Sequence, residues 1–147
     1  MSTTRKLLSA GVAVCAALAL SAAPASASPL SQMRSWARNG GMHAINLIVK
    51  DANAISASAN ADDLQEIGIE CAAFSTDLRV AQDHPMPDKA IQVHWAAMLK
   101  DYQLGTYYCV QGINDNSSSD LQTFINYASA GNNQLGIAEK MVEKLVK

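Results

Sequence analysis

The sequence predicts an all-α fold, a four-helix up-down bundle with a short N-terminal arm and one disulfide. Three observations predict it. Apolar residues recur at alternating spacings of three and four along four separate stretches, which places them on one face of a helix each time. The stretches are parted by clear breakers, chiefly His84-Pro85-Met86-Pro87 and the small polar run 114–119. Hydrophobic residues make up 49% of the chain but aromatics only 5%. Alanine and the aliphatics therefore carry the apolar content, which suits helices better than strands. No stretch alternates with period two, and no internal repeat is visible.

The first 27 residues read as a leader and not as part of the fold. Arg5 and Lys6 form a basic start, residues 7–20 are an apolar run rich in Ala, Leu and Val, and Ala25-Ser26-Ala27 is a small-x-small cleavage site after Pro24. The apolar run is shorter than the ~20 residues that a spanning helix needs. Cys15 lies inside that run behind Val14, where a lipid-attachment motif wants a small residue. Cleavage near Ala27 leaves residues 28–147 as the helical domain, secreted and extracellular, with no membrane span. It removes two of the 11 basic residues and none of the 13 acidic ones, so the net charge moves from -2 to -4. No run of Lys or Arg survives, which excludes nucleic acid as the expected partner.

Export also decides the cysteines. Cys15 leaves with the leader, and Cys71 and Cys109 remain as a pair in an oxidising compartment. One intramolecular disulfide is expected, structural and not redox-active, because redox pairs usually lie close in sequence.

Residues 28–41 form the arm, a short helix carrying Met33 and Trp36 that Gly40-Gly41 breaks. The first long helix spans 42–59, with Ile45, Ile48, Ala52, Ile55 and Ala59 on its stripe and Leu47 and Val49 broadening it. Asp62 with Gln65 suits the capping box of the second helix, whose stripe is Leu64, Ile67, Cys71, Phe74, Leu78 and Ala81. That helix stops before Pro85, since the residue preceding a proline is pushed out of the helical region.

Asp88 caps the third helix, with Ile91, Trp95, Met98, Tyr102, Gly105 and Cys109 inward. Gly105 offers a place of close approach. Cys71 lies about ten residues before the connector and Cys109 about twenty after its end, an offset of ~15 Å in a tight hairpin. A disulfide needs Cα atoms within ~7 Å, so the Pro-x-Pro connector must run on in extended form. Ser119 with Gln122 repeats the capping-box pattern. The last helix carries Leu121, Phe124, Ala128, Gly131, Leu135, Ala138, Val142 and Leu145, with a kink possible at Gly131-Asn132-Asn133. These narrow seams would also suit a coiled coil, but the proline and loop breaks favour a closed bundle.

No catalytic residues are expected. Asp62 and Asp63 are explained as helix-start acids, and Ser, His and Asp occur in no elbow or triad context. An all-helical mutase of the chorismate type needs several inward cations, and Arg34, Arg38 and Arg79 form no cluster. His43, His84 and His94 show no metal-ligand spacing, so neither a metal nor a cofactor is expected. The ligand-binding candidates are His94, Trp95, Met98 and Tyr102. His94 and Met98 lie four apart, a spacing that faces one ligand such as haem, and Trp95, Tyr102, Tyr107 and Tyr108 concentrate aromatics on the same helix. Such aromatics are more often plain core. Asn116-Ser117-Ser118 matches a glycosylation acceptor, a short and common pattern.

Cys71, Asp77, Ala81-Gln82, Pro85-Met86-Pro87-Asp88, Trp95, Leu99, Tyr102, Cys109 and Gly112 together resemble a recurrent pattern in a family of small exported actinobacterial helical proteins. The likeness covers the second and third helices, about a third of the chain. It implies an exported helical domain with a structural disulfide and brings no catalytic residues. The functional expectation is a secreted, non-enzymatic module that binds a protein or small ligand. The alternative is an extracellular carrier of haem or a lipid-like molecule, with a small helical enzyme behind it.

Overall fold

The structure, a computed structural model, describes residues 27–146. The expected leader, apart from Ala27, lies outside the described residues. The fold is the four-helix bundle with an N-terminal arm: α1 (Pro29–Trp36), a widened π-type turn (Ala37–Gly41), α2 (Met42–Asn60), α3 (Leu64–Gln82), α4 (Lys89–Asn114) and α5 (Ser118–Val146). There is no strand among the described residues. No helix among them is long and apolar enough to cross a membrane.

Ser28 caps α1 by accepting a hydrogen bond from the Ser31 amide, with Pro29 at the first helical position, where its missing N–H is not needed. The glycine pair breaks the helix as expected: Asn39 and Gly40 leave the helical region, and α1 and α2 meet across a kink there. Gly40 has φ 109°, a conformation other residues rarely adopt, and a Cβ there would collide with the His84 ring. Trp36 then docks the arm: its indole Nε1 donates to the His84 carbonyl at 3.0 Å, and its ring meets Trp95 edge-on at 5.9 Å.

The two tight helix reversals share one device. In each, a residue in the left-handed region ends one helix and its successor caps the next. Asp62 (φ 55°) ends α2, with the Asp62 amide on the Ala59 carbonyl and the Asp63 amide on the Ser58 carbonyl. Asn116 (φ 50°) ends α4 in the same way, its amide on Ile113 and that of Ser117 on Gly112. The expected caps are therefore displaced. Asp63, not Asp62, caps α3 through Oδ1 to the Glu66 amide, and Ser117, not Ser119, caps α5 through Oγ to the Asp120 amide. The left-handed position is needed to satisfy the last carbonyls of the preceding helix, so the capping side chain is moved on.

Asp88 caps α4 as expected, Oδ1 accepting from the amides of Ala90 and Ile91. In the connector, Met86 turns inward and its amide donates to Gln92 Oε1. The extended connector places Cys71 and Cys109 with Cα atoms 6.3 Å apart, bonded as a disulfide.

Around the bundle the order is α2, α3, α4, α5. α3 packs on both α2 and α4, and α4 packs on both α3 and α5. The stripes of α3 and α4 are the core: Cys71, Phe74, Leu78, Ala81, Ile91, Trp95, Met98, Tyr102 and Cys109 are all buried. Several expected positions lie outside it: Leu64, Val49 and Ala59 are exposed, and of the α5 stripe only Gly131 and Ala138 are buried, the rest being half-buried. On α2 the buried line runs through Ala44, Ile48, Asp51 and Ile55. α5 is one unbroken helix of 29 residues, ~43 Å long. Gly131 does not kink it but lets it close on α4, where a Cβ would lie 2.6 Å from the Tyr102 ring. At Gly105 the approach comes from Phe124 and Tyr127 at ordinary contact distance.

Candidate functional site

The candidate site is the gap between α2 and α5. Both helices lie against other neighbours, α2 on α3 and α5 on α4, and they do not form a close seam with each other. A cleft of about 330 Å³ results, lined by Ile45, Ile48 and Val49 of α2 on one side and Leu135, Ala138, Glu139, Val142 and Glu143 of α5 on the other. Met86 from the connector and Trp95 from α4 complete the lining. A smaller recess of about 120 Å³ continues along the same gap, where Ala52, Ile55 and Ser56 face Phe124, Ala128 and Asn132, with Phe74 and Tyr102 also lining it. The pairing of rising α2 numbers with falling α5 numbers is that of antiparallel neighbours.

The local sequence explains each wall. On α2 the positions 45, 48, 49 and 52 fall on one side at helical spacing, while 44, 51 and 55 turn further toward α3. On α5 the spacing 135, 138, 142 continues the apolar stripe, and 139 and 143 flank it. Met86 reaches the cleft because Pro85 and Pro87 hold the connector extended across the end of the core.

The polar groups around the gap are few. Tyr102 donates its hydroxyl to Asn132 Oδ1 at 2.6 Å, joining α4 to α5. Burial, with the carboxylate of Glu139 adding to it, pushes the Tyr102 phenol up from 10.0 to about 12. The buried Trp95 side chain, 1% exposed, has an indole Nε1–H with no hydrogen-bond partner among the described residues. Glu139 and Glu143 are exposed and belong to no ion pair among the described residues.

The four ligand-binding candidates separate. Trp95 lines the cleft and Tyr102 lines the recess. Met98 is fully buried and lines neither. His94 is tied to α5, with Nδ1 2.8 Å from Gln134 Oε1. The aromatic concentration on α4 was the signal for Trp95 and Tyr102. Met86, Asn132, Glu139 and Glu143 carried none, because their place in the gap depends on helices distant in sequence.

The raised Tyr102 pKa makes an alkaline prediction. The folded chain holds the phenolic proton more tightly than the unfolded one, so this contribution to stability is complete below pH 10 and is lost as pH rises through 12. Urea midpoints should fall across pH 10–12, and Tyr102→Phe should flatten that fall. An equal decline in the variant removes Tyr102 as the cause.

No family model, curated protein or solved structure matches this chain.

Proposed function

We propose that this protein is an exported, non-enzymatic binding module that holds a small apolar ligand in the cleft between α2 and α5. The observation that carries this reading is the cleft itself. At about 330 Å³ it stands at the lower end of the ~300–1,000 Å³ typical of small-molecule sites. Its walls are aliphatic, and Trp95 and Met86 supply an adaptable aromatic and thioether surface. Export is supported by the leader pattern and by the disulfide, which persists in oxidising compartments. The haem version of the carrier finds no support in His94, held by Gln134, or in Met98, sealed in the core.

The test is a titration with N-phenylnaphthylamine, a neutral apolar probe whose emission rises on leaving water. Saturation at one site per chain is expected. Val49 sits at the rim, 47% exposed, so Val49→Trp covers the cleft without disturbing the core. That variant should bind at least tenfold more weakly. No emission rise, or a rise that Val49→Trp leaves unchanged, overturns the reading.

A further inference from the structure

We infer that Tyr108 of α4 and Tyr127 of α5 are an oxidative modification site, where a one-electron oxidant joins the two helices through a dityrosine bond. The two rings lie face to face, 9° from parallel, with centroids 5.8 Å apart. Tyr107 meets the Tyr108 ring edge-on at 5.3 Å and is 57% exposed. Three phenols from two helices thus form one contiguous group. It reaches from solvent to the α4–α5 seam, with Tyr108 and Tyr127 half-buried within it.

The backbone brings the pair together. A Cβ at Gly105 would already lie 3.4 Å from the Tyr127 Cβ, so α5 runs close beside α4 here. Tyr108 stands one helical turn on from Gly105, on the same face, and its ring falls over that of Tyr127. The other tyrosines are poorer partners. Tyr107 and Tyr108 are neighbours on one helix, whose side chains diverge by about 100°, so a bond between their rings would twist α4. Tyr102 is buried at 5% exposure with its hydroxyl given to Asn132, out of reach of an oxidant.

The chemistry is that of phenols. Each ring gives up one electron and its O–H proton, leaving a phenoxyl radical whose spin is shared with the ring carbons beside the oxygen. One such carbon from each ring forms a C–C bond. The hydrogen on each of these carbons then moves to the oxygen and restores the phenol. The net loss is two hydrogen atoms. Hydrogen peroxide takes them up as its O–O bond breaks, giving two molecules of water, with a haem peroxidase as the catalyst of the two one-electron steps. The bond draws the ring centres closer together through side-chain rotation, which is fast for partly exposed residues. The disulfide already ties α3 to α4. The dityrosine adds α5, the far wall of the cleft, to the same covalent unit.

The experiment treats the dilute chain with a haem peroxidase and one equivalent of hydrogen peroxide. The main product should be a single chain lighter by two hydrogen atoms, with the blue emission of dityrosine. The disulfide is then reduced and the chain cut before each aspartate. Fragment 101–114, which holds Tyr102, Tyr107 and Tyr108, should remain joined to fragment 120–147, whose only tyrosine is Tyr127. Tyr108→Phe and Tyr127→Phe, which keep both rings and the packing, should each lower the yield of joined fragments at least tenfold. Tyr107→Phe and Tyr102→Phe should leave the fragments joined. Separate fragments from the natural chain, a product linked mainly between chains, or joined fragments that survive Tyr108→Phe overturn the inference.

Discussion

Replacing Cys71 and Cys109 together by alanine should lower the unfolding free energy by about 4 kcal/mol. The bond closes a loop over a sequence separation of 38 residues, and the chain-entropy relation gives roughly that figure for a loop of this size. Both cysteines are fully buried between α3 and α4. Alanine is the right replacement there, since serine would add two buried hydroxyls with their own penalty. Against a total of about 5–15 kcal/mol for an ordinary domain, such a loss leaves a marginal fold. Urea denaturation at pH 7 measures it, through a lower midpoint and a steeper slope as the unfolded chain expands. A change below about 1 kcal/mol would mean that the Pro85 and Pro87 connector already restricts the unfolded ensemble and that the crosslink adds little.

Replacing Asp51 by asparagine should have the opposite sign, raising stability at neutral pH by about 1 kcal/mol, because the buried side chain then carries no charge to desolvate. Asp51 lies on the buried line of α2 with its side chain 1% exposed. Lys50 Nζ stands 3.1 Å from Oδ1, but off hydrogen-bonding geometry, and neither carboxylate oxygen has a hydrogen-bond partner among the described residues. The same ammonium is shared with Asp77 at 3.4 Å. Burial pushes the Asp51 carboxyl above its usual 3.8, Asp77 pushes it further, and Lys50 opposes both. The folded chain therefore holds this proton more tightly than the unfolded chain. Its contribution is complete below pH 3.8 and is lost as pH rises through the raised folded value. Midpoints for the natural protein and Asp51→Asn, compared from pH 3 to 7, should diverge upward through that window. A variant less stable at pH 7 would show that the ion pair with Lys50 outweighs the burial.

The two buried helices at the centre were the most legible part of the sequence. On α3 and α4 every stripe residue from Ile67 to Ala81 and from Ile91 to Cys109 is buried, because these helices have neighbours on two sides and their periodicity is unopposed. The offset of the cysteines against the connector was legible for a similar reason, being a matter of helix rise alone. α2 was read less well. Asp51 scores as a surface residue on any local pattern, and what surrounds it, Asp77 and Lys50, involves a residue on another helix. The caps at Asp63 and Ser117 were missed by one and two positions, since a local capping pattern does not register the need of the preceding helix for a left-handed residue.

The functional gap was the least legible. Trp95 and Tyr102 could be singled out from their helix alone. The cleft they line arises because α2 and α5 do not close on each other, and no single stretch of chain encodes a missing contact. Glu139 and Glu143 flank the apolar stripe of α5, and their place at the cleft follows only once Val49 and Ile45 stand across from them.

The crosslink joins α3 to α4 and leaves one long helix on each side, attached through a three-residue turn, Ala61 to Asp63 for α2 and Asp115 to Ser117 for α5. The side-chain hydrogen bonds of α5, His94 to Gln134 and Tyr102 to Asn132, run to α4, and the arm helix α1 touches α5 as well. One wall of the cleft is therefore held by α4 and the arm, while the opposite wall is braced by α3. Widening the mouth for a bulkier guest would disturb packing on α4 and α1 but would leave the α3–α4 crosslink untouched.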